Sequence, residues 1–227
     1  MAKKVYSRTV VEEAPSHDGK ICYAAWKLTE SDPDVRTSPE ASNRPKWSIQ
    51  VYDTTPMAGD REHIITVAQK LEESTRQGRD RRGAPNRIEV HGLPLHADTP
   101  ENERVARCTA HHRAEVAERN ATGVTDFFIP PTFDDTWKHR VLIIDKPEGS
   151  WDESEKQDGA FLAVFFDLQP QARAEDPDGS DLHSIRFTGA DLVENLRSFT
   201  KSIEWFYESY VEDGTIYRDL EKWQQKA

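Results

Sequence analysis

The sequence predicts an α+β fold: a mostly antiparallel sheet, helices packed on one face, and a long amphipathic C-terminal helix. Three observations carry that expectation. Apolar residues alternate, or run on continuously, over strand lengths in the first third and in the centre. Two stretches of helical periodicity interrupt them. Near the C-terminus, large apolar residues recur at three- and four-residue steps.

The elements follow in chain order. "KVYSRTVV" alternates, and "KICYAAWKL" comes after a "HDGK" turn. "KWSIQVYD" puts Trp47, Ile49 and Val51 on one face and Ser48, Gln50 and Tyr52 on the other. The Pro-, Ser- and Asp-rich "TESDPDVRTSPEASNRP" between the second and third strands reads as a long loop. A helix is expected from about Asp60 to Gln77, with Ile64, Ala68 and Leu71 on one stripe and Gly78 just past its end. "RIEV" is a short strand. Thr99 then suits an N-cap and Pro100 the first helical position, so a second helix should run to about Arg119.

"RVLIID" and "AFLAVFFDL" are continuous apolar runs, as in strands covered on both faces. No helix separates them, so they should pair antiparallel. "HSIRFTG" is the last strand. Thr188 and Asp191 have capping-box spacing, and Leu192, Leu196, Phe199, Ile203, Phe206 and Tyr210 then form the C-terminal stripe. No Gly/Ser linker divides the chain. It reads as a single α+β domain over residues 1–227, with long polar loops near 29–45, 146–159 and 170–181.

Composition narrows the function classes. With 36% apolar residues, 227 residues can bury roughly 70% of the unfolded surface. Charged residues at 31% and a mean hydropathy of −0.81 put the surplus into wet loops. A net charge of −11 argues against a nucleic-acid binder, which carries a basic footprint, and suits a basic protein partner. The two cysteines, Cys22 and Cys108, do not make a disulfide framework, and "MAKKVYSRTV" lacks the apolar stretch of a secretory signal. The longest apolar run, "FLAVFF", is far short of the ~20 residues that span a bilayer. A cytoplasmic setting without membrane contact is expected.

The densest set of possible ligands is "HGLPLHADTPENERVARCTAHH", residues 91–112. Zinc takes four ligands from thiolate, imidazole and carboxylate. Cys108 and His112 are four apart on the expected helix, Glu115 is close by, and His91 and His96 precede it. These spacings match neither paired C-x-x-C knuckles nor H-E-x-x-H, and a histidine bonded to a carbonyl would serve equally well at position 112. A second set joins Asp167, near the end of one central strand, to Asp134, Asp135 and His139 before the other, where Mg²⁺ would suit phosphoester hydrolysis. Solvated strand ends are the plainer account of those carboxylates. Arg76, Arg79, Arg81 and Arg82, with Arg87, form a basic cluster that would suit an anion, although no aromatic residue interleaves it.

No P-loop, dinucleotide-binding glycine motif or nucleophile elbow occurs. The sequence therefore favours a non-enzymatic, acidic interaction protein without cofactor, of the inhibitor or immunity type or a subunit of a larger assembly. Its contact residues would be Phe127, Phe128 and Phe133 in "DFFIPPTF", with Glu148, Asp152, Glu153 and Glu155 steering a basic partner. The alternative is a metal-dependent hydrolase that uses Zn or Mg at one of the two His/Asp or His/Cys sets.

Overall fold

The computed structural model describes residues 7–14, 16–29, 47–77, 86–122, 140–151, 159–165 and 183–192. Strands β1 (Ser7–Glu13) and β2 (Cys22–Thr29) form a hairpin, and β3 (Trp47–Asp53) follows. Helix α1 (Arg61–Gln77), β4 (Asn86–Gly92) and helix α2 (Glu101–Thr122) come next. Strands β5 (Arg140–Ile144), β6 (Phe161–Phe165) and β7 (His183–Phe187) complete the set. All seven strands belong to one sheet, in the order β1-β2-β4-β3-β5-β6-β7.

The fold is α+β with a mixed sheet. β3 runs parallel to both its neighbours, β4 and β5, while the hairpins on either side are antiparallel. The parallel centre departs from the expected mostly antiparallel sheet. Its cause is the helix that follows β3 and the helix that follows β4, since each crossover returns the chain to the same end of the sheet.

A second expectation is corrected. The two helices lie on opposite faces, not on one. Ile64, Val67, Ala68 and Leu71 of α1 pack with Ile49, Val51, Ile88, Val90, Leu142 and Ile144. Val105 and Cys108 of α2 pack instead with Tyr52, Val141, Ile143, Leu162 and Val164, the alternate residues of the same strands. β4 and β5 flank β3, so the two crossovers run in opposite directions across the sheet. Crossovers of one hand then set their helices on opposite faces.

The strand sequences explain the two layers. Apart from Arg140, β5 and β6 are apolar at every position because both their faces are covered, and all ten of their residues are buried. β3 and β4 alternate, apolar towards α1 and polar towards α2. Each large aliphatic side chain buried on the α1 face contributes roughly 1.5–3 kcal/mol. Gly92 ends β4 where a Cβ would lie 2.2 Å from the Ala58 carbonyl oxygen, so only glycine lets the 54–59 loop cross there. Asp60 starts α1 by accepting the Glu62 backbone N–H at 2.9 Å. The expected C-terminal helix, with Leu196, Phe199, Ile203, Phe206 and Tyr210, lies outside the described residues. Among the described residues no helix is long and apolar enough to cross a membrane.

Candidate metal centre

The polar layer between the sheet and α2 is built in rows. Strand register sets Cys22 and Tyr52 on either side of His91, and Ala24 and Gln50 on either side of Glu89. α2 lies across them and contributes Cys108, His111, His112, Glu115 and Arg119, spaced by three and four residues along one side. Tyr52 is the hub. Its ring stacks on His91 with centroids 4.8 Å apart and meets His111 and His112 edge-on. Its hydroxyl lies 3.3 Å from Nδ1 of each of these two histidines.

Hydrogen bonds fix the proton on His91. Gln50 Nε2 donates to Glu89 Oε2 at 2.7 Å, which makes Gln50 Oε1 the acceptor end of the amide. His91 Nε2 sits 2.7 Å from that oxygen and must donate to it. The neutral ring then carries a lone pair on Nδ1. That atom is buried and has no hydrogen-bond partner. Burial holds the His91 pKa down at about 4, against the raising pull of Glu89 and Glu115, so the ring is neutral near pH 7.

Glu115 and His111 complete the arrangement. His91, His111 and Glu115 each offer one ligand atom, and these atoms all lie within 4.8 Å of one another. Burial alone would raise the Glu115 pKa, but the His17 backbone N–H, donating to Oε1 at 2.6 Å, and the nearby His91 ring and Arg119 charge lower it overall. Burial, with His17 beside it, lowers that of His111. All three groups are in the deprotonated form that a cation requires. Below them, Arg119 reaches Glu89 at 3.0 Å and Glu115 at 3.3 Å, and these pairs with Arg87 bring Glu89 to about 2 despite its burial.

At the solvent edge the β1–β2 turn leans over α2. Gly19 takes a left-handed φ of 68°, and Asp18 Oδ1 accepts from Ser16 Oγ and the Lys20 backbone N–H. His17 Nδ1 then lies 3.1 Å from Glu115 Oε1, and Asp18 Oδ2 lies 3.3 Å from His111 Nε2. His17, Asp18 and His111 form a second group whose ligand atoms lie within 4.8 Å of one another.

The residues singled out in the sequence fall in several places. His91 is in the cluster. His112 is buried beside it, against the Tyr52 hydroxyl. His96 lies on an exposed loop, its side chain 81% accessible, paired with Asp98. Cys108 sits among apolar side chains, and burial pushes its thiol well above the usual range. A His91–His96–Cys108–His112 ligand set is therefore not brought together. Asp134, Asp135, His139, Asp167, Phe127, Phe128, Phe133, Asp152, Glu153, Glu155, Arg79, Arg81 and Arg82 lie outside the described residues, and only the backbone of Arg76, within α1, is described. Arg87 is buried and lies 3.2 Å from Glu89, and Glu148 is paired with Lys70. His17, Asp18 and His111 were not picked out as ligands. The signal available was the alternation of "RIEVHG", which sets Glu89 and His91 on one face, but nothing in the sequence aims the "SHDG" turn at α2.

A further polar group closes the other face at the end of β3. Asp53 is fully buried, accepts from the Thr55 backbone N–H and hydroxyl, and pairs with His63 Nε2 at 2.8 Å. It joins the start of α1 to the strand end. Searches against protein-family models, curated proteins and solved structures find no match for this chain.

Proposed function

We propose that this chain binds a divalent transition-metal ion through His91, His111 and Glu115 and uses it to activate water for hydrolysis. The observation that carries this reading is His91. Its Nε2–H is committed to Gln50, which leaves a buried Nδ1 without a hydrogen-bond partner on a residue grouped with His111 and Glu115 as possible ligands. Metal-binding histidines are commonly fixed in this way, with the second ring nitrogen donating to an outer acceptor. Two imidazoles and a carboxylate suit Zn²⁺, whereas Mg²⁺ takes oxygen ligands and retains water. Three protein ligands leave a four-coordinate zinc one position for a water, whose pKa the ion lowers to about 7.

The interaction reading rests on the net charge of −11 and on residues that are mostly outside those described. The metal reading has a defined site, and we prefer it. Two free, buried cysteines fit a reducing compartment, and we infer a cytoplasmic setting on that ground.

The test is to strip the protein with a chelator, reload it with Zn²⁺, and assay phosphoester, carboxylic ester and peptide substrates. Turnover should depend on the ion and fall at least about a hundredfold in Glu115→Gln, the scale on which metal-site losses are felt. Zinc uptake without turnover on any of these substrates would remove hydrolysis and leave a structural ion. No uptake would remove the reading.

A further inference from the structure

The inner ligands are almost sealed. His91 and Glu115 are each 2% exposed, so an ion cannot reach them directly from solvent. Among the described residues, the more exposed groups in contact with this set are His17 and Asp18, with side chains 21% and 25% accessible, beside His111. These three make up the outer set of ligand atoms.

The two sets are joined at two points. His111 belongs to both, with Nε2 3.3 Å from Asp18 and Nδ1 on the Tyr52 side of the ring. His17 Nδ1 lies 3.1 Å from Glu115 Oε1, and the His17 and His111 rings meet edge-on at 4.3 Å. An ion bound outside would thus keep His111 and exchange His17 and Asp18 for His91 and Glu115 on moving inward.

We propose that His17, Asp18 and His111 form a loading site, which takes a hydrated divalent transition-metal cation from solvent and passes it inward to His91 and Glu115. This rests on the metal-binding reading above. Asp18 supplies the negative charge that draws the cation, and the two imidazoles replace part of its water before it leaves the surface. The carboxylate is held meanwhile by Lys20, whose Nζ lies 2.6 Å from Asp18 Oδ2. Lys20 is 48% accessible, and an exposed pair of this kind is weak enough for an incoming dication to displace.

A group that acts on the path, and not in the final complex, changes association and dissociation by the same factor and leaves the equilibrium alone. Stopped-flow mixing of the full-length, chelator-stripped protein with Zn²⁺, together with calorimetric Kd values, reads both quantities. Asp18→Asn should slow uptake and release alike by about tenfold, the change that a barrier rise of about 1.4 kcal/mol gives, with Kd shifted far less than either rate although Asp18 also touches His111. Lys20→Gln should speed both. If Asp18→Asn leaves the rates unchanged, or weakens Kd while uptake stays fast, the loading site is overturned and the inner site stands. If the wild-type protein takes up no Zn²⁺, the metal-binding reading falls and the loading site with it.

Discussion

Among the described residues, one sheet presents two unlike faces to helices α1 and α2. Towards α1, strands β3 and β4 offer Ile49, Val51, Ile88 and Val90, which Ile64, Val67, Ala68 and Leu71 cover. Towards α2, the alternate positions of the same strands offer Gln50, Tyr52, Glu89 and His91, which His111, His112, Glu115 and Arg119 meet. Both layers are buried apart from His111, which is partly exposed. The first is held by area removed from water, whereas the second has to meet the desolvation of two carboxylates, a guanidinium and three imidazoles by pairing them. An apolar layer there would have been the simpler solution for stability alone. That costlier layer is the one that holds the ligand group on which the metal reading rests.

Substitutions can separate the two faces. The largest loss should come from Glu89→Ala, which leaves Arg87 and Arg119 buried without their shared carboxylate. It should cost about 3–5 kcal/mol in urea unfolding. On the other face, Leu71→Ala opens a cavity in a fully buried position and should cost about 2–5 kcal/mol. The folded fraction of Leu71→Ala should still bind Zn²⁺ with wild-type affinity. A loss of affinity there would mean that the two faces are coupled.

Gln50→Leu sharpens the contrast. It removes the acceptor that sets the His91 tautomer, and zinc affinity measured by calorimetry should weaken about 10- to 100-fold.

Acid should act through the polar face as well. His91 has a folded pKa of about 4, below its ordinary 6.5, so the unfolded chain gains its proton first. Its contribution to stability is full above pH 6.5 and is lost as the pH falls through 4. Glu89, lowered from 4.5 to about 2, extends the loss across that lower window. Unfolding free energy of the chelator-stripped protein against pH should therefore decline from about 6.5 downwards, and added zinc should raise the curve and steepen its decline, because the ion binds only the deprotonated folded ligands. The smallest effect belongs to Cys108→Ala, which should leave zinc affinity unchanged because the thiol faces Val105, Val141 and Leu162.

Much of the fold was legible because period-2 and helical patterns are local. The helix expected from about Asp60 to Gln77 is α1, and the strand with Trp47, Ile49 and Val51 is β3. Pairing was less legible. The same β-α-β-α-β order admits strands in either direction, and only the return crossovers make β3 parallel to both neighbours. Of the candidate cluster, density of ligand types led to residues 91–112, but of the four residues His91, His96, Cys108 and His112 only His91 falls in a described group of ligand atoms. His96 and Cys108 are near in sequence, whereas His17 and Glu115 are 98 residues apart and meet only through the turn. The role of Gln50 could not be read at all, because it depends on the register that sets Glu89 and His91 beside it on β4.

The central claim is most directly tested by X-ray absorption at the zinc edge, on protein stripped, reloaded with one equivalent and freed of excess metal. The account predicts one retained ion with only nitrogen and oxygen neighbours, at about 2.0–2.1 Å, and an imidazole scattering pattern that weakens in His91→Ala. A sulfur shell at about 2.3 Å would assign the ion to Cys22 or Cys108 and contradict the proposed ligands. Failure to retain zinc would contradict the reading of the polar face as a metal centre.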